Sequence, residues 1–235
     1  MTHAQMMNNI ASREPVETET GPASAPLPAH ETVYRRLRAL ILFGELTPGQ
    51  PVTIQGLVQM LGAGVTPVRE AIRRLTAEGA LENQGNRRVC VPQLTIANVD
   101  ELIFARQAIE PQLARRATER ASDRDLGLLT EIDIRLDTAI LNGDVWSYLE
   151  LNYRFHATIY GMAEAPILQA IADGLWLRFG PSLRVVCGRL GTQNLPDLHK
   201  KALSAMRAGD AEAAAEAMRK DVIQGMEQVR RAIAE

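Results

Sequence analysis

The first third of the chain carries three short stripes of apolar residues at helical spacing, each followed by a glycine. The predicted helices run from near Glu31 to Gly44, from Thr53 to Gly62, and from Gly64–Thr66 to Gly79. Thr53 is a favoured N-cap residue, and Pro67 falls in the first turn of the third helix, where a missing N–H costs nothing. Two short strands around Gly85 and Asn86 follow, and Pro92 ends the segment. Three helices and a hairpin in this order predict a winged helix-turn-helix.

From Thr95 onward the apolar spacing predicts only helices. The expected segments are 96–120, 122–142, 144–162, 166–180, 181–190, 194–208 and 210–234. The opening residues are rich in Pro, Ser, Thr, Ala and Glu without an apolar period, which is typical of a disordered tail. We therefore expect a mainly α chain in three parts. These are the tail at 1–29, the winged helix-turn-helix domain at 30–93, and an all-α helical bundle at 94–235.

The net charge of −2 hides a difference between the two expected domains. Residues 31–92 hold eight Arg and five Glu (+3), whereas residues 93–235 hold 17 basic and 20 acidic residues (−3). The first 30 residues hold one Arg and three Glu (−2), so the three parts sum to −2. A basic module attached to an acidic one is typical of a nucleic-acid reader that carries a second function.

The sequence also argues against several other classes of protein. No apolar run approaches the roughly 20 residues of a membrane span, and the N-terminus lacks the basic start and apolar block of a secretory signal. The two cysteines, Cys90 and Cys187, lie far apart and form no CxxC pair, so zinc-ribbon and redox chemistry are not indicated. We expect a cytoplasmic protein with reduced thiols.

The third predicted helix has the pattern of a DNA-recognition helix. Arg69 lies near its start, where a guanidinium can reach a guanine edge, and Thr66 and Arg73 share the same polar face and suit phosphate contacts. The candidate DNA-binding residues are Arg35, Arg38, Thr66, Arg69, Arg73, Asn86, Arg87 and Arg88. Spacing and charge alone leave open the alternative that these arginines form only a solvated surface.

The run from Thr66 to Leu75, followed by Glu78 and Gly79, resembles the recognition helix of the GntR family of bacterial regulators. Further matching segments are Val33-Tyr34 to Leu42, Gly44 to Pro48-Gly49, and Asn86-Arg87 in the wing. The resemblance covers residues 31–92 and implies a DNA-binding regulator of transcription. Many members carry Ser-Arg before the Thr-Pro, where this chain has Gly64 and Val65. An arginine that contacts base or phosphate is therefore absent, and the operator need not be the family's usual one.

Four polar residues lie on the apolar stripes of three predicted helices in the second domain: Asn152, His156, His199 and Asp221. Burying them without partners would cost several kcal/mol in total, so they must pair with each other, with water or with an ion. Two imidazoles, one carboxylate and one amide oxygen form a ligand set that suits zinc, nickel or a similar divalent ion. A metal-free, hydrogen-bonded network around a cavity is the alternative.

The helical domain is similar to the FCD-type effector domain of the FadR-like GntR subgroup over about residues 95–230. The matching landmarks are Arg106 and Glu110, Asn152 to His156, His199, and Ala208-Gly209-Asp210. The family pattern places Asp, His, His and His where this chain has Asn152, His156, His199 and Asp221, so the formal ligand charge stays at −1. The resemblance implies that a bound 2+ ion would leave the cavity positive and ready for a small acidic metabolite.

Arginines supply the candidate contacts to that effector. Arg106 falls on an inward stripe one turn before Glu110, so an ion pair between them is the favoured interpretation, and a grip on the effector's carboxylate is the alternative. Arg178 and Arg184 are weaker candidates, because arginines in such helices usually lie on a solvated face.

We expect a homodimer that presents two winged modules to a two-fold-symmetric operator. A small carboxylate effector would favour one dimer geometry, and the resemblance implies repression that the metabolite relieves. A metal-dependent enzyme on the helical domain is the alternative from another class, although no HExxH pair or nucleophile motif occurs. A metal-independent regulator, or an architectural DNA protein without an effector, also stays open.

Overall fold

The structure is a computed structural model that describes residues 27–85, 88–190 and 198–234, without the side chains of 188–190. The chain divides after Pro92 into two compact units. The helices described are α1 (Ala29–Leu42), α2 (Ile54–Leu61), α3 (Val65–Ala77), α4 (Ile96–Thr118), α5 (Asp123–Leu141), α6 (Val145–Met162), α7 (Pro166–Leu190), α8 (Leu198–Arg207) and α9 (Ala211–Ala234). The strands described are β1 (Pro51–Val52), β2 (Glu82–Gln84) and β3 (Arg88–Cys90).

The helices of the first unit begin and end where their terminal residues satisfy the backbone. The Thr53 hydroxyl accepts a hydrogen bond from the Gly56 N–H at 3.0 Å, which caps the start of α2. Gly62 ends α2 in the left-handed conformation, with φ 60°, which disfavours most other residues. Leu37 of α1, Leu57 of α2 and Leu75 of α3 are fully buried, so the three helices share one apolar core.

The sheet of the first unit has three antiparallel strands in the order β1-β3-β2. The predicted hairpin is present as β2 and β3, with Asn83 opposite Val89, whereas strand β1 was not predicted. β1 is only two residues long, too short for an alternating pattern, and pairs Val52 with Val89. The Gly49 N–H also donates to the Val91 carbonyl at 2.8 Å, so backbone pairing rather than side-chain pattern holds this strand.

Side-chain caps fix the helix starts of the second unit. Thr95 and Ser122 each form a reciprocal capping box with the residue three positions later, before α4 and α5. The Asp144 carboxylate accepts from the Ser147 N–H at 3.1 Å before α6. The predicted starts of these three helices therefore agree with the structure to within a residue.

Helix α7 differs from the sequence prediction, which placed two helices at 166–180 and 181–190. The structure has one helix that continues through Pro181. Proline removes one backbone hydrogen bond, but Phe179, Leu183 and Val186 are buried on both sides of it, and their packing offsets that loss. Residues 194–197 of the predicted 194–208 helix lie outside the described residues, and α8 is described from Leu198.

Helix α9 packs along α4 and α8, and α4 also contacts α6 and α7. Phe155, Tyr160 and Met226 are fully buried in the core that these helices enclose. Helices α4, α6, α7, α8 and α9 therefore supply the polar residues considered below. No helix in the described part of the chain is long and apolar enough to cross a membrane.

Candidate functional site

Helix α3 of the first unit separates an apolar face from a polar one. Val68 and Leu75 are completely buried against the rest of the unit. Thr66, Arg69 and Arg73 are exposed, as their spacing predicts. The helix therefore presents one hydroxyl and two guanidinium groups to solvent, which is the arrangement that a major-groove reader needs.

Two of the candidate arginines are held by ion pairs within their own helices. Arg73 lies 2.9 Å from Glu70 on α3, and Arg35 lies 2.9 Å from Glu31 on α1. The Arg73 side chain is 79% exposed, so a phosphate can replace Glu70 with little desolvation. Arg69 is exposed on the same helix.

The remaining DNA-binding candidates have mixed positions. Arg38 of α1 is half-buried, and Arg88 is exposed at the start of β3. Asn86 and Arg87, the predicted tip of the wing, lie outside the described residues.

Two other arginines of this unit serve its packing. The guanidinium of Arg74 lies 3.5 Å from the centre of the Tyr34 ring and pairs with Glu31 at 3.0 Å. Arg36 donates to the Leu61 carbonyl at 2.8 Å, near the end of α2. Arginine content alone therefore overstates the cationic groups that are available to a ligand.

In the second unit, two imidazoles and one carboxylate from three helices meet at one point. Nε2 of His156 on α6 lies 3.1 Å from Oδ2 of Asp221 on α9 and 3.3 Å from Nε2 of His199 on α8. Nε2 of His199 is 3.7 Å from Oδ1 of Asp221. The ring of His199 stacks on Phe155 with centroids 4.2 Å apart, which fixes its orientation. The structure thus brings together three of the four predicted ligands by their donor atoms.

A second layer of polar groups surrounds His156. Its Nδ1 faces Oε2 of Glu110 at 3.5 Å and the Tyr160 hydroxyl at 3.3 Å. Tyr160 donates to Glu110 at 2.7 Å and accepts from the Trp176 indole N–H at 2.9 Å. Because an ionised Glu110 can only accept, it favours the tautomer with the proton on Nδ1 and leaves the Nε2 lone pair facing the cluster.

Arg106 keeps Glu110 ionised. The two residues form a buried ion pair through Nε and Nη2 of the guanidinium. The predicted Arg106–Glu110 ion pair is therefore confirmed. Burial alone would raise the pKa of Glu110, but the charge of Arg106 and hydrogen bonds from His156 and Arg106 lower it to about 2. Arg106 also lies 4.1 Å from the centre of the Phe179 ring, which packs against its face.

The cluster itself is short of positive charge. Burial acts to raise the pKa of Asp221, yet the charge of His199 and a hydrogen bond from His156 lower it to about 2. Burial acts to lower the pKa of His156, but hydrogen bonds to Asp221 and Glu110 raise it overall. With both imidazoles neutral, Arg106 (+1), Glu110 (−1) and Asp221 (−1) sum to −1. A proton or a metal ion is the natural counter-charge at this point.

A cavity of about 50 Å³ opens beside the cluster. It is lined by Arg106, Tyr148, Asn152, His156, Trp176, Phe179, Leu183, Cys187, Asp221, Gln224, Gly225 and Gln228. Asn152, the fourth predicted ligand, thus faces the same space as His156 and Asp221. Burial raises the pKa of the Cys187 thiol to about 12 and that of the Tyr148 hydroxyl above its usual range, so both side chains line the cavity in their uncharged forms.

The other predicted effector contacts are not brought to the cavity. Arg178 is exposed and Arg184 is half-buried, and neither is among the lining residues. The two residues lie on α7 beside the positions that do line the cavity, because a helix turns successive side chains by about 100°. Arg106 is therefore the effector candidate that lines the cavity, whereas Arg178 and Arg184 stay predictions.

Both units match described protein families. Residues 29–91 match the family described as bacterial regulatory proteins, gntR family, and residues 101–223 match the FCD domain. The chain belongs to the GntR family. Its winged helix-turn-helix and all-helical FCD domain confirm the fold class that the apolar pattern predicted.

Relatives and solved structures of this GntR-family chain are regulators of transcription. It is 30% identical over 183 residues to the HTH-type transcriptional regulator McbR of Escherichia coli strain K12, covering 77% of this chain and 83% of that protein. It is 26% identical over 204 residues to the galactonate operon transcriptional repressor of the same strain, covering 75% and 86%. The solved E. coli McbR/YncC structure matches with a TM-score of 0.82 and 26% identity, over 88% of this chain and 99% of that one. The chain is a DNA-binding transcriptional regulator and not an enzyme.

Several cavity residues of this GntR-family regulator were not selected from its sequence. Tyr148 lies four residues before Asn152 on α6, and Gln224 lies three residues after Asp221 on α9. Both follow the i, i+3/i+4 spacing of a helix face, so extending the polar stripe by one turn would have found them. No comparable signal marks Trp176 as a hydrogen-bond donor to Tyr160, because that contact joins two different helices.

Proposed function

We propose that the FCD domain of this regulator binds a divalent metal ion through His156, His199 and Asp221 and senses a small acidic metabolite at that ion. The observation that carries the proposal is the convergence of two imidazole nitrogens and one carboxylate from three helices, with separations of 3.1 to 3.7 Å. These three residues form a metal-capable group, since their donor atoms all lie within 4.8 Å of one another. Asn152 adds an amide beside them in the cavity wall.

The spacing of these atoms fits a metal centre. Metal–ligand bonds to nitrogen and oxygen are about 2.0–2.2 Å long, so neighbouring donors around a tetrahedral ion lie roughly 3.4 Å apart. The separations of 3.1 and 3.3 Å from His156 Nε2, and of 3.7 Å from His199 Nε2 to the second oxygen of Asp221, lie around that value. Two imidazoles and a carboxylate, with an amide nearby, suit zinc or nickel.

The charge of the cavity supports an acidic ligand when an ion is present. A 2+ ion changes the local sum from −1 to +1, and its open coordination positions accept a carboxylate oxygen. Arg106 adds a fixed positive charge in the wall, because Glu110 holds it in place. Without a cation, a carboxylate would enter next to the ionised Asp221.

A second candidate is a metal-free site in which a proton supplies the missing charge. The raised pKa of His156 favours it, because an imidazolium Nε2–H donates well to Asp221 at 3.1 Å. Such a site would hold the same four residues as a polar network and bind an acidic ligand through Arg106 alone. If the site needs a metal, chelation abolishes the response of DNA binding to the acid. If the site is metal-free, the response survives chelation.

For the first unit, we propose that α3 enters the major groove and that Arg69 contacts a base edge. Phosphate contacts suit Thr66, Arg73, Arg35 and Arg38, and Arg88 of the wing is placed to contact the neighbouring groove.

We propose that the domains run from 30 to 93 and from 94 to 235. A homodimer would place two such modules on a two-fold operator, and repression relieved by the metabolite is the expected sign.

The test is the DNA-binding response of metal-loaded and chelator-treated protein to a panel of small carboxylates and sugar acids, galactonate included. Fluorescence anisotropy on an operator selected from random sequences measures DNA affinity. We expect at least one acid to weaken operator binding about fivefold to 150-fold with metal present, and chelation to abolish the response. A response that survives complete metal removal would support the metal-free site instead.

A further inference from the structure

An open pocket of about 300 Å³ lies beside the cavity, between α8 and α9. Its lining residues are Leu198 and Lys201 on α8 and Lys220, Ile223 and Gln224 on α9. Gln224 also lines the inner cavity, so one side chain forms part of the wall of both spaces. The two spaces therefore adjoin at Gln224.

The open pocket carries positive charge at its rim. Lys201 is exposed and forms no ion pair within the described part of the chain. Lys220 lies 3.3 Å from Glu216, with its side chain 60% exposed. The two lysines and Glu216 sum to +1. Besides the lysines, Leu198 and Ile223 supply apolar walls and Gln224 a polar one.

We propose that this pocket is the entrance through which small anions reach the cavity, with Gln224 as the gate and Lys201 and Lys220 as the residues that favour acids. The proposal rests on the cavity being a ligand site, as proposed above. Positive charge at the mouth of a low-dielectric passage raises the local concentration of anions and speeds their association. Uncharged molecules of the same shape gain nothing from the lysines.

Cys187 offers a way to measure passage without knowing the metabolite. It lines the cavity and is 5% exposed. Iodoacetate and iodoacetamide alkylate the same thiolate and differ mainly in the charge of a carboxylate against an amide. The ratio of their rates at Cys187 therefore cancels any change in thiol pKa and reports the charge preference of the route. Peptide mapping by mass spectrometry separates Cys187 from Cys90.

The variants are Lys201→Gln with Lys220→Gln, and Gln224→Ala. The control is Lys200→Gln, which removes one positive charge next to Lys201 in the chain, from a lysine that pairs with Asp137 on α5 at 2.7 Å. We expect the double lysine variant to slow iodoacetate about threefold to tenfold and to leave iodoacetamide unchanged. The loss should shrink in 0.5 M salt. Gln224→Ala should speed both reagents, and Lys200→Gln should alter neither.

Equal rate ratios in the wild type and the double lysine variant would overturn the role of the lysines. The reactions are run at alkaline pH, where part of a thiol with a raised pKa is ionised. Failure of Gln224→Ala to speed either reagent there would overturn the route itself. A bound cation would also favour entry of iodoacetate, so wild type and variants are all compared as chelator-treated protein. A failure of the entrance is therefore distinguishable from a failure of the proposed metal site, which a metal titration decides.

Discussion

The two units use arginine in opposite ways. On α3, Arg69 and Arg73 are exposed to solvent on the face opposite the buried apolar residues, and their charges are available to a binding partner. In the FCD domain, Arg106 is buried and committed to Glu110, which in turn faces His156. An exposed arginine costs the fold little and can bind a ligand without a fixed partner, whereas a buried arginine must be paired, so Arg106 can meet a ligand only while Glu110 holds it. The predictions below test that contrast.

The largest effect is expected from Glu110→Ala, which leaves Arg106 buried without its partner. Breaking a buried ion pair costs about 3–5 kcal/mol of unfolding free energy. Trp146 and Trp176 both lie in the FCD domain, so tryptophan fluorescence during urea denaturation reports the unfolding of that domain.

The matched control is Glu212→Ala, which breaks the exposed pair between Arg115 and Glu212, with Glu212 77% exposed. Its urea midpoint should stay close to that of the wild type, because water replaces the partner. Equal losses in Glu110→Ala and Glu212→Ala would contradict the distinction between the two kinds of arginine.

A smaller effect, on DNA binding, is expected from the exposed arginines of α3. Arg69→Ala should lose about 1–3 kcal/mol of discrimination between the operator and a sequence changed at one guanine. Arg73→Ala should weaken binding to both sequences alike and reduce the slope of log affinity against log salt by about one. Anisotropy titrations at several salt concentrations measure both quantities. Unchanged operator preference in Arg69→Ala would remove the proposed base contact.

The smallest expected effect is a change of melting temperature with pH. Its direction distinguishes a cluster in which a proton supplies the positive charge from a cluster that binds a metal ion. His156 has a raised pKa in the folded protein, so its stabilisation is complete below its unfolded pKa of about 6.5 and is lost as pH rises through the folded value. The melting temperature of chelated protein should therefore fall as pH rises above 6.5.

The gain in melting temperature from added zinc or nickel should instead grow over the same pH range, since a metal needs unprotonated imidazoles. Melting curves from pH 6 to 9, with chelator and with metal, provide the comparison. A metal-induced gain that shrinks with rising pH would favour the proton as the resident charge.

Local signals in the sequence were sufficient for most helix boundaries. Thr53, Thr95 and Ser122 are capping residues whose hydrogen bonds reach only three positions ahead, so spacing alone reveals them. Pro181 misled the prediction, because whether a helix continues through proline depends on packing against other helices. Strand β1 was missed for a related reason, since its partners on β3 lie far along the chain: Val52 pairs with Val89, and Pro51 pairs with Cys90.

The candidate site likewise has residues that the sequence could identify and contacts that it could not. Asn152, His156, His199 and Asp221 could be selected because each interrupts an apolar stripe, and the Arg106–Glu110 pair because its members lie one turn apart. The approach of Glu110 to His156 could not be predicted, whereas Tyr160 lies one turn after His156 on the same helix. Glu110 belongs to another helix, and no periodicity within one helix specifies which residue of a second helix it meets.

The most direct test of the account is a metal titration of chelator-treated protein against a competing chromogenic indicator. We expect one zinc or nickel ion per chain in the wild type and at least a tenfold lower affinity in His199→Ala. His30→Ala should behave as the wild type, because His30 is exposed in the other unit. Equal affinity in His199→Ala and His30→Ala, or no saturable binding in the wild type, would contradict a metal at His156, His199 and Asp221.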